Sequence, residues 1–289
     1  MNSEVLAAVA AALGAKVTRA APLAGGDINE AFRVELSDAR VVFVKQNLAA
    51  ARAMFPREAQ GLAYLAEARA LAVPEVLAVS AEVGDGPSYL VLEYLEPGRR
   101  RPGFDEELGR GLAELHRVGD SQLGLPYENF IGSLPQANHV HAEWSEFYRA
   151  ERLEPLLARA IARGQADRHL AKRFERLFSR LHDLCGPEEP PARLHGDLWG
   201  GNLHSDARGN PVLIDPAVYA GHREMDLAMM RLFGGFSPQV FAAYEETFPL
   251  AAGHQERVDL YQLYPLMVHL NLFGSGYRGG VERALARYV

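Results

Sequence analysis

The sequence predicts an α+β protein of two lobes. Residues 1–94 would be built on a five-stranded antiparallel sheet with one main helix, and residues 95–289 would form a larger, mostly helical lobe. Three observations carry that expectation. β-Branched and alternating apolar runs separated by turn residues are concentrated before residue 95, apolar residues at helical spacing dominate after it, and Leu95-Glu96-Pro97-Gly98 breaks the pattern between them. At 289 residues the chain is about twice a typical domain of ~150 residues, which suits two modest units.

The elements follow in order. A helix over Val5–Ala15, capped by Ser3, opens the chain. Val17–Ala24 and Glu30–Leu36 read as strands around the Gly25-Gly26-Asp27-Ile28-Asn29 turn, and Ser37-Asp38-Ala39-Arg40 turns the chain into the strand Val41-Val42-Phe43-Val44. A helix introduced by Pro56, with Leu62 and Leu65 at helical spacing, ends before Val73-Pro74. Strands Glu75–Ala81 and Ser88–Tyr94 flank a Gly84-Asp85-Gly86-Pro87 turn. Beyond the break come helices over Phe104–Val118, Trp144–Arg163 and Asp167–Leu184, with a 25-residue connection, Gly119–Glu143, of the length that is usually functional or mobile. After the Pro-rich stretch Gly186–Pro191 and a short hairpin, helical segments starting at Arg223, Pro238 and Gln255 complete the chain.

Composition narrows the partners. A net charge of -7 lacks the basic excess that nucleic acid or an anionic membrane would select, so any phosphate chemistry must be organised locally. A single cysteine, Cys185, excludes an internal disulfide and a cysteine-cluster zinc site, and agrees with a reducing cytoplasm. The apolar N-terminal stretch has no Lys or Arg before it and is too short to span a bilayer, so no targeting segment is expected.

The chemistry is concentrated between residues 195 and 215. His195-Gly196-Asp197-Leu198-Trp199-Gly200-Gly201-Asn202 leads through a short hairpin to Val212-Leu213-Ile214-Asp215. Phosphoryl transfer needs a carboxylate near the attacking hydroxyl and oxygen ligands for Mg²⁺ on the nucleotide phosphates. A hairpin with Asn202 at one end and Asp215 at the other would bring both to one edge, with Asp197 in the loop before it. The same order ends the catalytic segment of protein kinases, H-R-D-x-x-x-x-N and then the Asp of Asp-Phe-Gly. Here Gly196 replaces the Arg and Pro216-Ala217 replaces Phe-Gly, which points to the small-molecule branch of that fold, resembling aminoglycoside and choline kinases.

Other positions fit around that set. Lys45, at the end of a β-branched strand, is either an edge charge or a partner for phosphates held by Glu58 on the next helix. Gly25 and Gly26 permit a tight turn that either brings backbone N–H groups to phosphate or closes an ordinary hairpin. Glu93-Tyr94-Leu95 lies where a nucleotide base would meet connecting backbone. Asp226 would cap a helix, hold the catalytic loop from beneath, or both; His195 is assigned with it to loop support. His116, His141, His204 and His269 lack metal-ligand spacing and read as core or surface histidines.

With these residues in place, the sequence resembles the fructosamine (ketosamine) kinase family, bacterial branch. The resemblance rests on Gly25–Asn29, Gly111–His116, Asn129–Gly132 with Pro135–Asn138, His195–Asn202, Asp215–Glu224 and Leu232–Phe236, and covers nearly the whole chain. It implies an ATP:ketosamine 3-phosphotransferase, acting on fructosamine or ribulosamine adducts of lysine or other amines and leading to deglycation. A kinase of another small alcohol or aminosugar is the alternative, because the catalytic set does not name the acceptor. By the same resemblance Asp197 is the catalytic base, Asn202 and Asp215 bind Mg²⁺, Lys45 and Glu58 hold the ATP phosphates, and Glu93, Tyr94 and Leu95 seat the adenine; Gly25 and Gly26 are assigned to cofactor binding on their turn. Trp199 and Asn138 are assigned to the sugar-amine pocket. A cytoplasmic monomer is expected, with a free ketosamine or a glycated protein lysine as partner. Asp27 stands in the region where some family members carry a redox cysteine.

Overall fold

The computed structural model describes every residue except Gly25, Gly26 and Asp27, so the predicted glycine turn lies outside the described residues. The chain runs α1 (Ser3–Leu13), β1 (Val17–Leu23), β2 (Glu30–Leu36), β3 (Val41–Gln46), α2 (Met54–Glu67), β4 (Val76–Val79) and β5 (Tyr89–Glu93). It continues with α3 (Phe104–Val118), β6 (Asn129–Ile131), β7 (Leu134–Gln136), α4 (Trp144–Phe147), a π-helical turn Tyr148–Leu153, α5 (Glu154–Ala162), α6 (Arg168–Phe178) and α7 (Leu181–Leu184). After β8 (Ala192–Leu194) come a 3₁₀ turn Gly200–Asn202, β9 (Leu203–Ser205), β10 (Pro211–Leu213), β11 (Tyr219–Gly221), α8 (Glu224–Phe233), α9 (Pro238–Thr247), α10 (His254–Phe273) and α11 (Arg278–Leu285).

Contacts divide the chain into one unit of Met1–Phe104 with Asn202–Pro216 and another of Asp105–Gly201 with Ala217–Val289. The division differs from the expected one at residue 94. Gly98 N–H donates to the Ser205 carbonyl at 2.9 Å and Arg101 N–H to that of Gly209 at 3.2 Å, so residues 95–104 pair with the β9–β10 hairpin and both stay with the strand-rich unit. The Leu213 N–H bond to Ala72 (2.9 Å) ties the hairpin down again.

The five strands of the first unit form one antiparallel sheet in the order β1-β2-β3-β5-β4. Its side-chain alternation builds two cores. Val42, Val44, Tyr89 and Val91 pack with Val5 and Val9 of α1, whereas Phe43, Leu90 and Leu92 pack with Phe55 and Leu62 of α2. Parity then places Lys45 on the α2 face with Phe43, and Gln46 on the α1 face, where its Oε1 accepts from Asn2 N–H at 2.9 Å. The cap of α1 is a correction: Asn2, not Ser3, accepts the Glu4 N–H (2.7 Å), because Ser3 already has helical geometry.

In the second unit the long connection between α3 and α4 holds a hairpin, β6–β7. The predicted Trp144–Arg163 helix passes through the π turn before α5. Pro155 has no N–H to return to the Glu151 carbonyl, and Arg152 Nη1 donates to that carbonyl instead, at 3.1 Å. The predicted Asp167–Leu184 helix breaks into α6 and α7 where the Ser179 hydroxyl donates to the Arg176 carbonyl.

Candidate active site

The first unit gathers Lys45, Glu58 and Asp215. Lys45 Nζ donates to Glu58 Oε1 at 2.7 Å and to Asp215 Oδ1 at 2.5 Å. Glu58 reaches the ammonium because Phe55, Glu58, Leu62 and Leu65 share the inward stripe of α2. Burial opposes the charge of Lys45, yet the Asp215 and Glu58 carboxylates overcome it and hold the ammonium above its ordinary range. Burial raises the Glu58 carboxyl, Lys45 pulls it back, and the Asp215 charge raises it further. The Asp215 side chain is 42% exposed against 6% for Lys45, so the ion pair opens to solvent on the aspartate side.

The β9–β10 hairpin carries Asn202 and Asp215 as expected of its ends. Leu203 pairs with Leu213, Ile214 N–H donates to the Asn202 carbonyl at 3.1 Å, and Asn202 Nδ2 donates to the Asp215 carbonyl at 3.3 Å. With the amide nitrogen so engaged, the Asn202 oxygen is the end that can ligate a cation. Asp215 sits at φ 55, a left-handed conformation that Asp tolerates better than most residues. Among the described residues no three His, Cys, Asp or Glu side chains are arranged to hold a metal. The pair instead offers one carboxylate and one amide oxygen, hard donors that fit Mg²⁺ when phosphate oxygens and water complete its shell.

At the end of β5, Glu93 N–H donates to the Glu75 carbonyl (2.9 Å), and Glu93 Oε1 accepts the Glu75 N–H (3.0 Å). Tyr94 and Leu95 lie just past the strand and are half-buried, with the Arg33 guanidinium 5.2 Å from the Tyr94 ring centroid.

The second unit holds the Asp197 loop. Asp226 Oδ2 accepts His195 N–H at 2.8 Å and Oδ1 accepts Gly196 N–H at 2.9 Å, while His195 Nδ1 accepts Asp197 N–H at 3.2 Å. Asp226 therefore braces the loop rather than capping α8, whose N-terminal residue makes no side-chain cap. His116 Nε2 lies 3.2 Å from Asp226 Oδ2 and its Nδ1 is 2.8 Å from the Tyr244 hydroxyl. Burial works against the charge of Asp226, but His116 and the loop amides outweigh it and hold the carboxyl below its usual range. Gly196, at φ 81, leaves only 2.0 Å between an added Cβ and the Ala217 carbonyl. Trp199 is 42% exposed, and its ring lies over Gly201.

One placement differs from expectation. Asn138 is 2% exposed, its Oδ1 accepting from Arg152 Nη2 (2.7 Å) and its Nδ2 donating to Asn129 Oδ1 (2.9 Å), so it supports the fold and presents no side chain to a ligand. His116 reads in sequence as a core histidine and is one, and it also completes the brace under the Asp197 loop. The sequence reading overlooked Arg152, whose only signal was an arginine on the aromatic stripe of Trp144 and Tyr148. Burial pushes the Cys185 thiol up to about 12, far from a reactive thiolate.

The profile of the fructosamine kinase family matches residues 1–289. The chain belongs to the fructosamine kinase family. It is 38% identical over 278 residues to a chloroplastic protein-ribulosamine 3-kinase of Arabidopsis thaliana, covering 95% of this chain and 83% of that one. A "probable ketoamine kinase" of Enterococcus faecium is 35% identical over 268 residues, 92% of this chain and 94% of its own. Among solved structures, a "putative fructosamine-3-kinase" of Thermobifida fusca superposes with a TM-score of 0.89 at 36% identity, covering 99% of this chain and 98% of its own. A choline kinase of Streptococcus pneumoniae, at 16% identity and a TM-score of 0.66 over 98% of each chain, shares the fold alone. The fold is protein-kinase-like, and membership in the family implies the use of ATP. No helix among the described residues is long and apolar enough to cross a membrane.

Proposed function

We propose that the protein transfers the γ-phosphoryl group of ATP to the 3-hydroxyl of a ketosamine, a 1-amino-1-deoxyketose joined to lysine or another amine. The full-length family match carries this reading, and the Lys45–Glu58–Asp215 constellation supports it. The strand-rich unit is assigned to the nucleotide and the helical unit to catalysis and the acceptor. Asp197 takes the hydroxyl proton while the sugar oxygen bonds to the γ-phosphorus and the bond to ADP breaks. Lys45, held by Glu58, meets the phosphates, and Glu93 to Leu95 meet the adenine. Asn202 and Asp215 would hold Mg²⁺, which when bound neutralises charge developing on the phosphate oxygens. Trp199, exposed beside Asp197 in sequence, contacts the sugar-amine.

The product has a chemical consequence. Phosphate at C3 lies next to the C2 carbonyl, so enolisation toward C1 lets phosphate leave, and hydrolysis of the resulting imine releases the amine. The same reading makes the protein a cytoplasmic monomer that takes a free ketosamine or a glycated protein lysine, with no nucleic-acid or membrane partner. Incubation with Mg-ATP and fructosyl-lysine, ribulosyl-lysine, choline or an aminoglycoside, following ADP, tests it. Turnover with the ketosamines is expected; turnover confined to choline or the aminoglycoside, or none at all, overturns it.

A further inference from the structure

Arg152 lies in the π turn of the second unit and is fully buried. No carboxylate pairs with it among the described residues. Its Nη1 donates to the carbonyls of Ala137 (2.6 Å) and Glu151 (3.1 Å), its Nη2 donates to Asn138 Oδ1 (2.7 Å), and its Nε is buried without a partner. The ring of Tyr219 lies 3.9 Å from the guanidinium carbon and that of Phe147 4.7 Å. The adjacent Glu151 carboxylate is taken by His139 and His141. A guanidinium stripped of water and of a counter-ion is costly to keep, more so than an apolar side chain of the same volume.

Its position gives that cost a purpose. Arginine has donors and no acceptor, so it dictates which way the amide beside it must point. With Oδ1 of Asn138 on Arg152, Nδ2 of Asn138 donates to Asn129 Oδ1 at 2.9 Å. Asn129 Oδ1 also accepts from Gln136 Nε2 at 2.9 Å, which leaves Asn129 Nδ2 to donate to the Val218 carbonyl at 2.8 Å. Gln136 Nε2 donates as well to the Ala217 carbonyl at 3.1 Å, and the Tyr264 hydroxyl donates to Gln136 Oε1. Ala217 N–H in turn donates to the His195 carbonyl at 2.9 Å, and His195 Nδ1 accepts the Asp197 N–H. Each amide is oriented by its neighbour, and the series runs from Arg152 to the backbone of Asp197.

We propose that Arg152 is a positioning residue for phosphoryl transfer, acting through Asn138, Asn129 and Gln136 to hold Ala217–Val218 against His195 and so fix the backbone that presents Asp197. Misplacing a reacting group by about 1 Å can cost on the order of a hundredfold in rate, so loss of this order is felt in kcat. The inference rests on the ketosamine kinase reading.

The test compares Arg152→Met, Arg152→Lys and Tyr264→Phe with the parent, using Mg-ATP and the ketosamine on which the parent is most active. Arg152→Met removes every donor at similar volume and is expected to lower kcat at least about tenfold with the KM for ATP within about twofold. Arg152→Lys, which keeps a charge and part of the donor set, is expected to recover part of that loss. Tyr264→Phe removes one hydroxyl from a side chain that otherwise packs as before; it is expected to lower kcat about fivefold and to have no further effect in the Arg152→Met background. Values of kcat per folded molecule within twofold of the parent, or a KM for ATP that rises as much as kcat falls, overturn the proposal. Should Arg152→Met fail to fold, Arg152→Lys and Tyr264→Phe decide it on the same criteria. A parent that turns over no ketosamine fails the substrate reading; an active parent with unaffected variants fails this inference alone.

Discussion

In the proposed site, two residues would separate binding from chemistry. Lys45 is buried between two carboxylates, so replacing it removes the positive charge while leaving Glu58 desolvated beside Asp215. Lys45→Met is expected to lower kcat/KM for ATP at least about a hundredfold, the effect of losing one preorganised electrostatic contact to the phosphates. Nucleotide titration and steady-state kinetics check this, and an unchanged kcat/KM would remove Lys45 from the site. Asp197 differs because its proposed part is proton transfer. Asp197→Asn keeps shape and backbone, so kcat should drop at least about a hundredfold while ATP affinity stays largely intact. The strand-end position of Lys45 was legible, and its orientation follows from the two-residue alternation that also buries Val42 and Val44. The failed assignment of Asn138 shows the complementary limit: a polar residue in a long loop looks like a ligand contact until its hydrogen-bond partners are counted.

Among elements, the loop from His195 to Asn202 depends on one conformation. Gly196 has a positive φ, and a methyl there would sit 2.0 Å from the Ala217 carbonyl oxygen. Gly196→Ala must therefore displace either the loop or residues 217–219, and with it the two N–H bonds to Asp226. The expected result is a kcat lowered at least about tenfold, together with a lower melting temperature by calorimetry; a variant with parental kcat would show that the loop tolerates the shift. The helices teach a second lesson. Apolar spacing predicts Trp144–Arg163 as continuous, and it cannot show the π turn, because that turn arises from Pro155 together with the inward pull on Arg152. The break between α6 and α7 has a similar local origin at Ser179.

For the molecule as a whole, stability should depend on pH through His222. This ring is buried against Tyr261 and Trp144, and burial lowers its pKa from 6.5 to about 4. The unfolded chain therefore binds a proton there more readily than the folded one. The contribution is complete above about pH 6.5, declines as pH falls toward 4, and is of order 3 kcal/mol across that window. Glu189 and Arg257 face the same ring, and Asp226, with its lowered pKa, adds an acid-labile contribution below the ordinary aspartate range. His222→Phe, which preserves the aromatic packing, should flatten the fall in melting temperature between pH 6.5 and 4. If the variant loses stability as steeply as the parent over that range, His222 is not the titrating group.

By itself the sequence determined the two-part α+β class, the five strands, the Asp197, Asn202 and Asp215 spacing and the family, because local periodicity and a fixed catalytic order are properties of neighbouring residues. Tertiary structure alone decided three things. It assigned Asn202–Pro216 to the strand-rich unit, since hydrogen bonds from residues 72, 98 and 101 reach the hairpin from far along the chain. It set His116 and Asp226 together, 110 residues apart in sequence, as the brace beneath the Asp197 loop. It also gave Arg152 a buried position among rings and amides. The reason is common to all three: which polar groups share a site is settled by long-range packing that must satisfy every buried donor and acceptor at once, and one-dimensional spacing carries no record of that constraint.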